Sequence, residues 1–346
     1  MKAIGKISHQ VFILSVTTFL FYVTQGSVWP FLNLYIYQTS QGDYFLTALI
    51  TAIPAFIAIF SVGFWGWGID KLKNNRVFAM IGVLSSALLY FLGIQISDAF
   101  LFFLTYSALC FFMNAFYPAY QSYVSLQSEQ SDRAFSNVFA IASLGYFFGA
   151  IISGIVYDLE GMIILFQLAF ILLILTGIIG VFGFKREKMD TVDNSEQYTV
   201  SNWKTVLKNP IVPILCIIVF FSQFSMMIAN AYFSVYITEI GGGSFIVGSS
   251  IAVATLLGAF LLPFFGRFSE KIGRKPFIIF TVGGFGIAGI IVYSIPSPVI
   301  VGYIWGAMPF YTGILAGGYA LLSDACQKSD QGKAMGLFNA AFSLGN

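Results

Sequence analysis

The 346-residue chain is 58% hydrophobic and 18% aromatic, with only 9% charged residues and a net charge of +2. Soluble globular chains carry about 25% charged residues, so this one cannot cover a water-facing surface. Disorder is excluded, and a nucleic-acid partner is not expected, because no basic block is present. Apolar runs recur along the whole length, which excludes a signal peptide followed by a soluble domain.

A bilayer-crossing helix takes about 20 mostly apolar residues. Runs of that kind place span 1 at His9–Ile36, span 2 at Tyr44–Ile69, span 3 at Val77–Ile96 and span 4 at Ala99–Leu126. Span 5 is expected at Ala134–Tyr157 and span 6 at Met162–Phe184. After a hydrophilic stretch come span 7 at Ile211–Thr238, span 8 at Phe245–Phe268, span 9 at Pro276–Ile295 and span 10 at Pro298–Ala325, with span 11 starting near Ala334. The runs are continuous and lack the alternation of barrel strands, so helices are expected. Cys110, Cys216 and Cys326 lie far apart, and His9 is the one histidine. Neither residue type has metal-site spacing, so no metal and no cofactor is expected, and the partner that composition implies is the lipid bilayer.

Charge fixes the orientation. The N-terminus and the loops after the even-numbered spans hold all 17 basic residues. The opposite loops hold Asp43, Asp98, Asp158, Glu160 and Glu239. Basic loops stay in the cytoplasm, so the N-terminus is expected inside and the chain in the cytoplasmic membrane. The stretch 185–209 reads as a cytoplasmic linker. Within it Trp203, Val206 and Leu207 recur at helical spacing beside Lys204 and Lys208. That pattern fits a short helix on the inner leaflet or a structured linker without membrane contact.

The two sides of the linker repeat each other. Gly66-Trp67-Gly68-Ile69-Asp70-Lys71 returns 200 positions later as Gly266-Arg267-Phe268-Ser269-Glu270-Lys271. The same offset pairs Arg133-Ala134 with Lys333-Ala334, and Ser143-Leu144-Gly145 with Ser343-Leu344-Gly345. An offset of 201 pairs Ile13-Leu14 with Ile214-Leu215 and Tyr35-Ile36 with Tyr236-Ile237. The expected architecture is all-α and polytopic: a bundle over 1–184, the linker over 185–209, and a second, pseudo-symmetric bundle over 210–346. Six spans per unit make the two halves parallel, the arrangement of transporters with a central site. From Ala334 only 13 residues remain. At about 1.5 Å each they fall short of a core of about 30 Å. The expectation is a piece of a longer chain, lacking the rest of span 11 and span 12. The alternative is a genuinely short protein.

These motifs resemble the major facilitator superfamily, whose loop after the second span reads Gly-x-x-x-Asp-Arg/Lys-x-Gly-Arg/Lys-Arg/Lys. Gly266, Glu270, Lys271, Gly273, Arg274 and Lys275 fit throughout, with Glu for Asp. The first copy keeps Gly66, Asp70, Lys71 and Arg76 but has Lys73 in place of glycine. The resemblance implies that Asp70 faces the start of span 11, near Lys333. Glu270 would face the start of span 5, near Arg133. Both contacts would hold only while the cytoplasmic side is closed. Free backbone N–H groups at a helix start attract an anion.

The resemblance also implies that spans 1, 4, 7 and 10 line the solute pathway. Their polar residues are Tyr22, Gln25 and Asn33; Asn114, Tyr117 and Gln121; Gln223, Asn230 and Tyr232; and Tyr311 and Thr312. Trp29-Pro30 and Tyr117-Pro118 introduce prolines able to bend these spans. Gly145, Gly149 and Gly154 in span 5 suit close helix packing. Drug antiporters of the superfamily have a glycine motif there that includes proline, and many have an arginine in span 4; this sequence has neither. No Asp, Glu, Lys or Arg lies in the middle of any span. Asp324, near the inner end of span 10, is the nearest acid. The pathway is therefore expected to be neutral and aromatic. Such a pathway suits a monomeric carrier that exports amphipathic compounds, or one that takes up a sugar or metabolite. A membrane enzyme would need a catalytic cluster, and none is present. A receptor that binds without transporting is the remaining reading.

Overall fold

The computed structural model describes residues 9–72, 74–117, 131–183, 203–326 and 328–345. Every regular element among the described residues is a helix: α1 His9–Thr39, α2 Tyr44–Leu72, α3 Asn75–Gly93, α4 Ala99–Met113, α5 Ser131–Glu160 and α6 Met162–Gly183. A short linker helix, Trp203–Lys208, precedes α7 Ile211–Glu239, α8 Ser244–Ile272 and α9 Arg274–Ser294. The chain continues as α10 Pro298–Ile304, α11 Met308–Ala325 and α12 Lys328–Gly345. Among the described residues, nine stretches are long and apolar enough to cross a bilayer. Two acids of the loops without basic residues, Asp43 and Asp98, start helices, whereas Asp158, Glu160 and Glu239 lie at helix C-terminal ends. Asp98 accepts from the Leu101 N–H at 2.8 Å. Asp43 accepts from the N–H groups of Phe45 and Leu46 at 2.8 and 3.1 Å. Both are N-cap geometries that satisfy orphan donors.

Two expected spans are not continuous. The fourth was expected to reach Leu126, but α4 stops at Met113 and turns at Asn114. Pro118 lies four residues beyond Asn114. In a continuous helix a proline offers no N–H to the carbonyl four residues back and its ring would clash with that group, so the sequence itself disfavours an unbroken helix through Asn114. The Asn114 side chain instead donates to the Cys110 carbonyl at 2.8 Å. Residues 118–126 of the expected span, Gln121 among them, lie outside the described residues. The tenth span keeps its expected bounds, Pro298–Ala325, but a 3₁₀ turn at Trp305–Ala307 divides it into α10 and α11. Pro309 acts on Trp305 in the same way, four residues back. By contrast α1 runs through Pro30 without a break. The last helix starts at Lys328 rather than near Ala334.

Contacts divide the chain into two compact units, Met1–Thr191 with Gly243–Ala252, and Val192–Gly242 with Val253–Asn346. In the first, α1 packs on α5 and α6, α6 also packs on α3, and α4 packs on α2 and α3. The α1–α5 contact is backbone on backbone. A Cβ at Gly26 would lie 2.1 Å from the Tyr146 carbonyl oxygen, one at Gly145 2.5 Å from that of Phe19, and one at Gly149 2.2 Å from that of Val23. Small residues permit this approach between membrane helices, as the glycines of span 5 led one to expect. Within the same unit, Gly154 of α5 and Gly248, near the start of α8, also meet backbone to backbone. Phe21 stacks on Phe116 at 4.0 Å and Phe31 on Tyr157 at 4.1 Å between ring centroids.

In the second unit, α7 packs on α12 and α11, and α9 packs on α11. Val206 of the linker helix is buried in a cluster with Val212, Leu215, Ile278, Leu322 and Phe338. Leu207 beside it is exposed. Asn209 then ties two helix ends: its amide donates to the Ala325 carbonyl at 3.0 Å and its oxygen accepts from the Ile211 N–H at 3.2 Å. The internal repeat reappears in the packing. A Cβ at Gly345 of α12 would lie 2.6 Å from the Phe220 carbonyl oxygen of α7. That is the contact Gly145 makes with Phe19, at offsets of 200 and 201.

Candidate functional site

One face of α1 carries the polar positions of the first unit. Gln25, Trp29 and Asn33 follow at intervals of four, which stacks them along one side of a helix. The Gln25 amide donates to the Met113 sulfur of α4 at 2.8 Å, and its oxygen accepts from the Trp29 indole N–H. Gln25 is buried, whereas Trp29 is 38% exposed. Asn33 lies 3.4 Å from the Thr51 hydroxyl, which donates to it from α2. Tyr22 is half-buried, and the Tyr117 ring stands edge-on to Phe21 at 5.8 Å. Thus Tyr22, Gln25 and Tyr117 cluster between α1 and the turn after α4. Asn114 bonds its own helix.

In the second unit the Tyr311 hydroxyl donates to the Gln223 amide oxygen, joining α11 to α7. Gln223 also holds the position in α7 that Tyr22 holds in α1. A Cβ at Gly345 would lie 2.9 Å from the Gln223 Cβ, and one at Gly145 would lie 3.1 Å from the Tyr22 Cβ. Asn230 is exposed. Tyr232, about 200° further round the helix, lines a different feature: an apolar groove of about 480 Å³ bordered by α7, α9 and the break in the tenth span. Phe233, Phe285 and Trp305 line it as well. By the repeat, its walls correspond to α1 and α3, the helices that α6 packs between in the first unit.

The two loop motifs differ in detail. In the second, Gly273 has φ +91°, a conformation that favours glycine. Arg274 donates to Asp324 at 3.2 Å and to the Ser269 hydroxyl at 2.9 Å, tying α8, α9 and α11 together. Asp324 is therefore the partner of a motif arginine. Both ends are partly exposed, so the pair contributes at most about 1 kcal/mol. Glu270, Lys271 and Lys275 are exposed. In the first motif Asn74 stands where Arg274 does and caps α3, accepting from the Val77 N–H at 3.3 Å. Lys71 lies over the Trp67 ring at 4.9 Å. Arg76 donates to the Val181 carbonyl at the end of α6.

A Cβ at Gly66 or Gly266 meets no atom of its own unit within 4 Å, so neither unit's packing requires these two glycines. Asp70 lies in the last turn of α2, Arg133 in the first turn of α5 and Lys333 in α12; their side chains, and Lys73, lie outside the described part. Sequence reasoning missed Met113, Thr51, Ser269 and Asn74 as partners. The four-residue spacing of Gln25 and Trp29 was the signal available for that pair.

The sequence pattern of the Major Facilitator Superfamily matches residues 14–346. The multidrug resistance protein MdtG of Proteus mirabilis (strain HI4320) is 24% identical over 270 residues, 74% of this chain and 66% of that protein. The match thus spans just under two-thirds of the length of that curated relative. The fold is shared with the nucleoside transporter NupG, at a TM-score of 0.75 and 15% identity, over 97% of this chain and 87% of the other. It is shared too with a bacterial homologue of the human lysosomal transporter Spinster in an inward-facing, unoccupied conformation. There the TM-score is 0.70 and the identity 13%, over 99% and 81% of the two chains. With the repeated unit, the paired loop motifs and a pattern that covers nearly the whole sequence, the chain belongs to the Major Facilitator Superfamily of membrane transporters.

Proposed function

We propose that this chain exports an uncharged, amphipathic organic solute across the cytoplasmic membrane by alternating access, as a monomer with its N-terminus inside. The observation that carries the reading is the face of α1. It offers an amide, an indole and a second amide at Gln25, Trp29 and Asn33, in a chain with no charged residue in the middle of any span. Intramembrane charges mark ion and charged-substrate pathways. A neutral face of amides and rings suits a flat, weakly polar solute. The similarity to a multidrug resistance protein supports the outward direction. In this reading residues 1–184 and 210–346 form the two bundles, and 185–209 links them. Tyr22, Asn114, Tyr117, Gln121, Gln223, Asn230 and Tyr311 join Gln25 and Asn33 in contacting the solute, whereas Tyr232, expected there, lines the separate apolar groove.

The test is efflux of a preloaded neutral lipophilic dye from expressing cells. Faster dye loss than in empty cells, abolished by Trp29→Ala, supports export. Unchanged dye loss with accumulation of a labelled sugar or nucleoside overturns it in favour of uptake. Orientation has its own check. Cysteines at Asp43, Asp98 and Glu239 are expected to react with an impermeant maleimide added to intact cells. Cysteines at Lys271 and Lys328 are expected to stay unlabelled, and their labelling overturns the orientation.

We assign the two loop motifs to the cytoplasmic gate. Gly66, Asp70, Lys71, Arg76 and Arg133 act with Gly266, Glu270, Lys271, Gly273, Arg274, Lys275 and Lys333, and Asp70 and Glu270 stabilise the closed state. A carboxylate at a helix start is worth about 0.3–2 kcal/mol, and about 1.4 kcal/mol changes a two-state ratio tenfold. Asp70→Asn and Glu270→Gln are each expected to slow flux roughly tenfold with expression retained. They should also raise the reactivity of a cysteine on the cytoplasmic side of the pathway. Unchanged flux and reactivity in both variants makes these acids ordinary loop charges.

A further inference from the structure

We propose that the groove between α3 and α6, at the end of the first unit that carries Arg76, binds an anionic phospholipid. The groove holds about 620 Å³ and is bordered by Asn74, Arg76, Val77, Met80, Leu84 and Val181. Its shape follows from one close contact. A Cβ at Gly177 would lie 2.5 Å from the Leu84 side chain, so α3 and α6 touch there. One turn further along α6, at Val181, the helices part and Arg76 bridges the gap. Val77 and Leu84 are exposed along the wall, offering an apolar strip for an acyl chain.

Charge identifies the headgroup. One amino group of the Arg76 guanidinium is spent on the Val181 carbonyl, which leaves further donors in the fork. Arg76 has no counterpart in the second unit, where Pro276 holds its position, and the motif arginine there, Arg274, is neutralised by Asp324. The residue 200 positions before Asp324 is Val124, so the repeat supplies no equivalent acid to the first unit. Among the described residues the ion pair of Arg274 is the only one. A cation over an apolar channel at the basic end of a membrane bundle matches a phosphate ester with a hydrocarbon tail. A carboxylate or phosphate without a tail would leave the strip uncovered.

The experiment is native mass spectrometry of the detergent-purified full chain with phosphatidylglycerol, phosphatidylcholine or inorganic phosphate. Phosphatidylglycerol is expected to be retained at least fivefold more than phosphatidylcholine. Arg76→Gln is expected to remove that preference. Val77→Trp, which fills the channel from an exposed position without touching the guanidinium, is expected to lower retention of both lipids. Arg274→Gln in the other unit is expected to leave the ratio of phosphatidylglycerol to phosphatidylcholine retained unchanged. Equal retention by the wild type and by Val77→Trp overturns the proposal. So does a preference that survives Arg76→Gln, or displacement of the lipid by phosphate alone.

Discussion

Replacing Gly149 with leucine is expected to abolish recovery of folded protein, and Gly26→Leu is expected to do the same. Each added Cβ would sit 2.1–2.2 Å from a backbone carbonyl oxygen of the facing helix, and backbone cannot rotate aside as a side chain does. Overpacking a core that can adjust costs about 1–3 kcal/mol. Here the whole α1–α5 contact must open instead, so the loss lies at or above the upper end of that range. Gly63→Ala and Gly258→Ala are the controls, because a Cβ at either meets nothing within 4 Å. They are expected to melt at or slightly above the wild-type temperature. Size-exclusion profiles and thermal melts in detergent measure both sets. A monodisperse Gly149→Leu with wild-type melting would mean that α1 and α5 do not meet as described.

The second large effect is expected at Gln25. Gln25→Leu keeps the volume but removes the donor to the Met113 sulfur and the acceptor for the Trp29 N–H. A buried polar group left without its partner costs about 1–3 kcal/mol. Trp29 is partly exposed, so the cost to stability falls near the lower end. The cost to transport is expected to be larger, at least tenfold in dye efflux, because the indole loses the group that orients it. Gln25→Asn shortens the reach to both partners and is expected to lie between leucine and the wild type. Efflux and melting temperature measured on the same preparations separate the two effects. Wild-type efflux in Gln25→Leu would remove this face of α1 from the pathway.

The spans were legible because a bilayer leaves each crossing segment one solution, a run of apolar residues with internal hydrogen bonds. The repeat was legible for a related reason. Gly145 and Gly345 both stand where a carbonyl leaves no room for a side chain. Pro118 was legible as a bend in the fourth span, but the end of α4 at Met113 and the turn at Trp305–Ala307 before Pro309 were not, because hydropathy runs on unchanged through both places. Partners were the least legible. Arg76 binds a main-chain oxygen of Val181, and every residue has one. Gln25 meets a sulfur 88 positions away, and a methionine in an apolar run gives no sign that it accepts a hydrogen bond.

The turn at Trp305–Ala307 has a mechanical consequence. A continuous helix resists bending along its whole length, but here three residues in 3₁₀ geometry separate α10 from α11. Changes of φ and ψ concentrate at such short segments. One end of the tenth span is thus jointed to the other, like two levers on a pin. Arg274, Asp324 and Asn209 brace the longer lever at its far end. The shorter one, α10, is seven residues long. Small displacements at that end can tilt it while the braced end keeps its place.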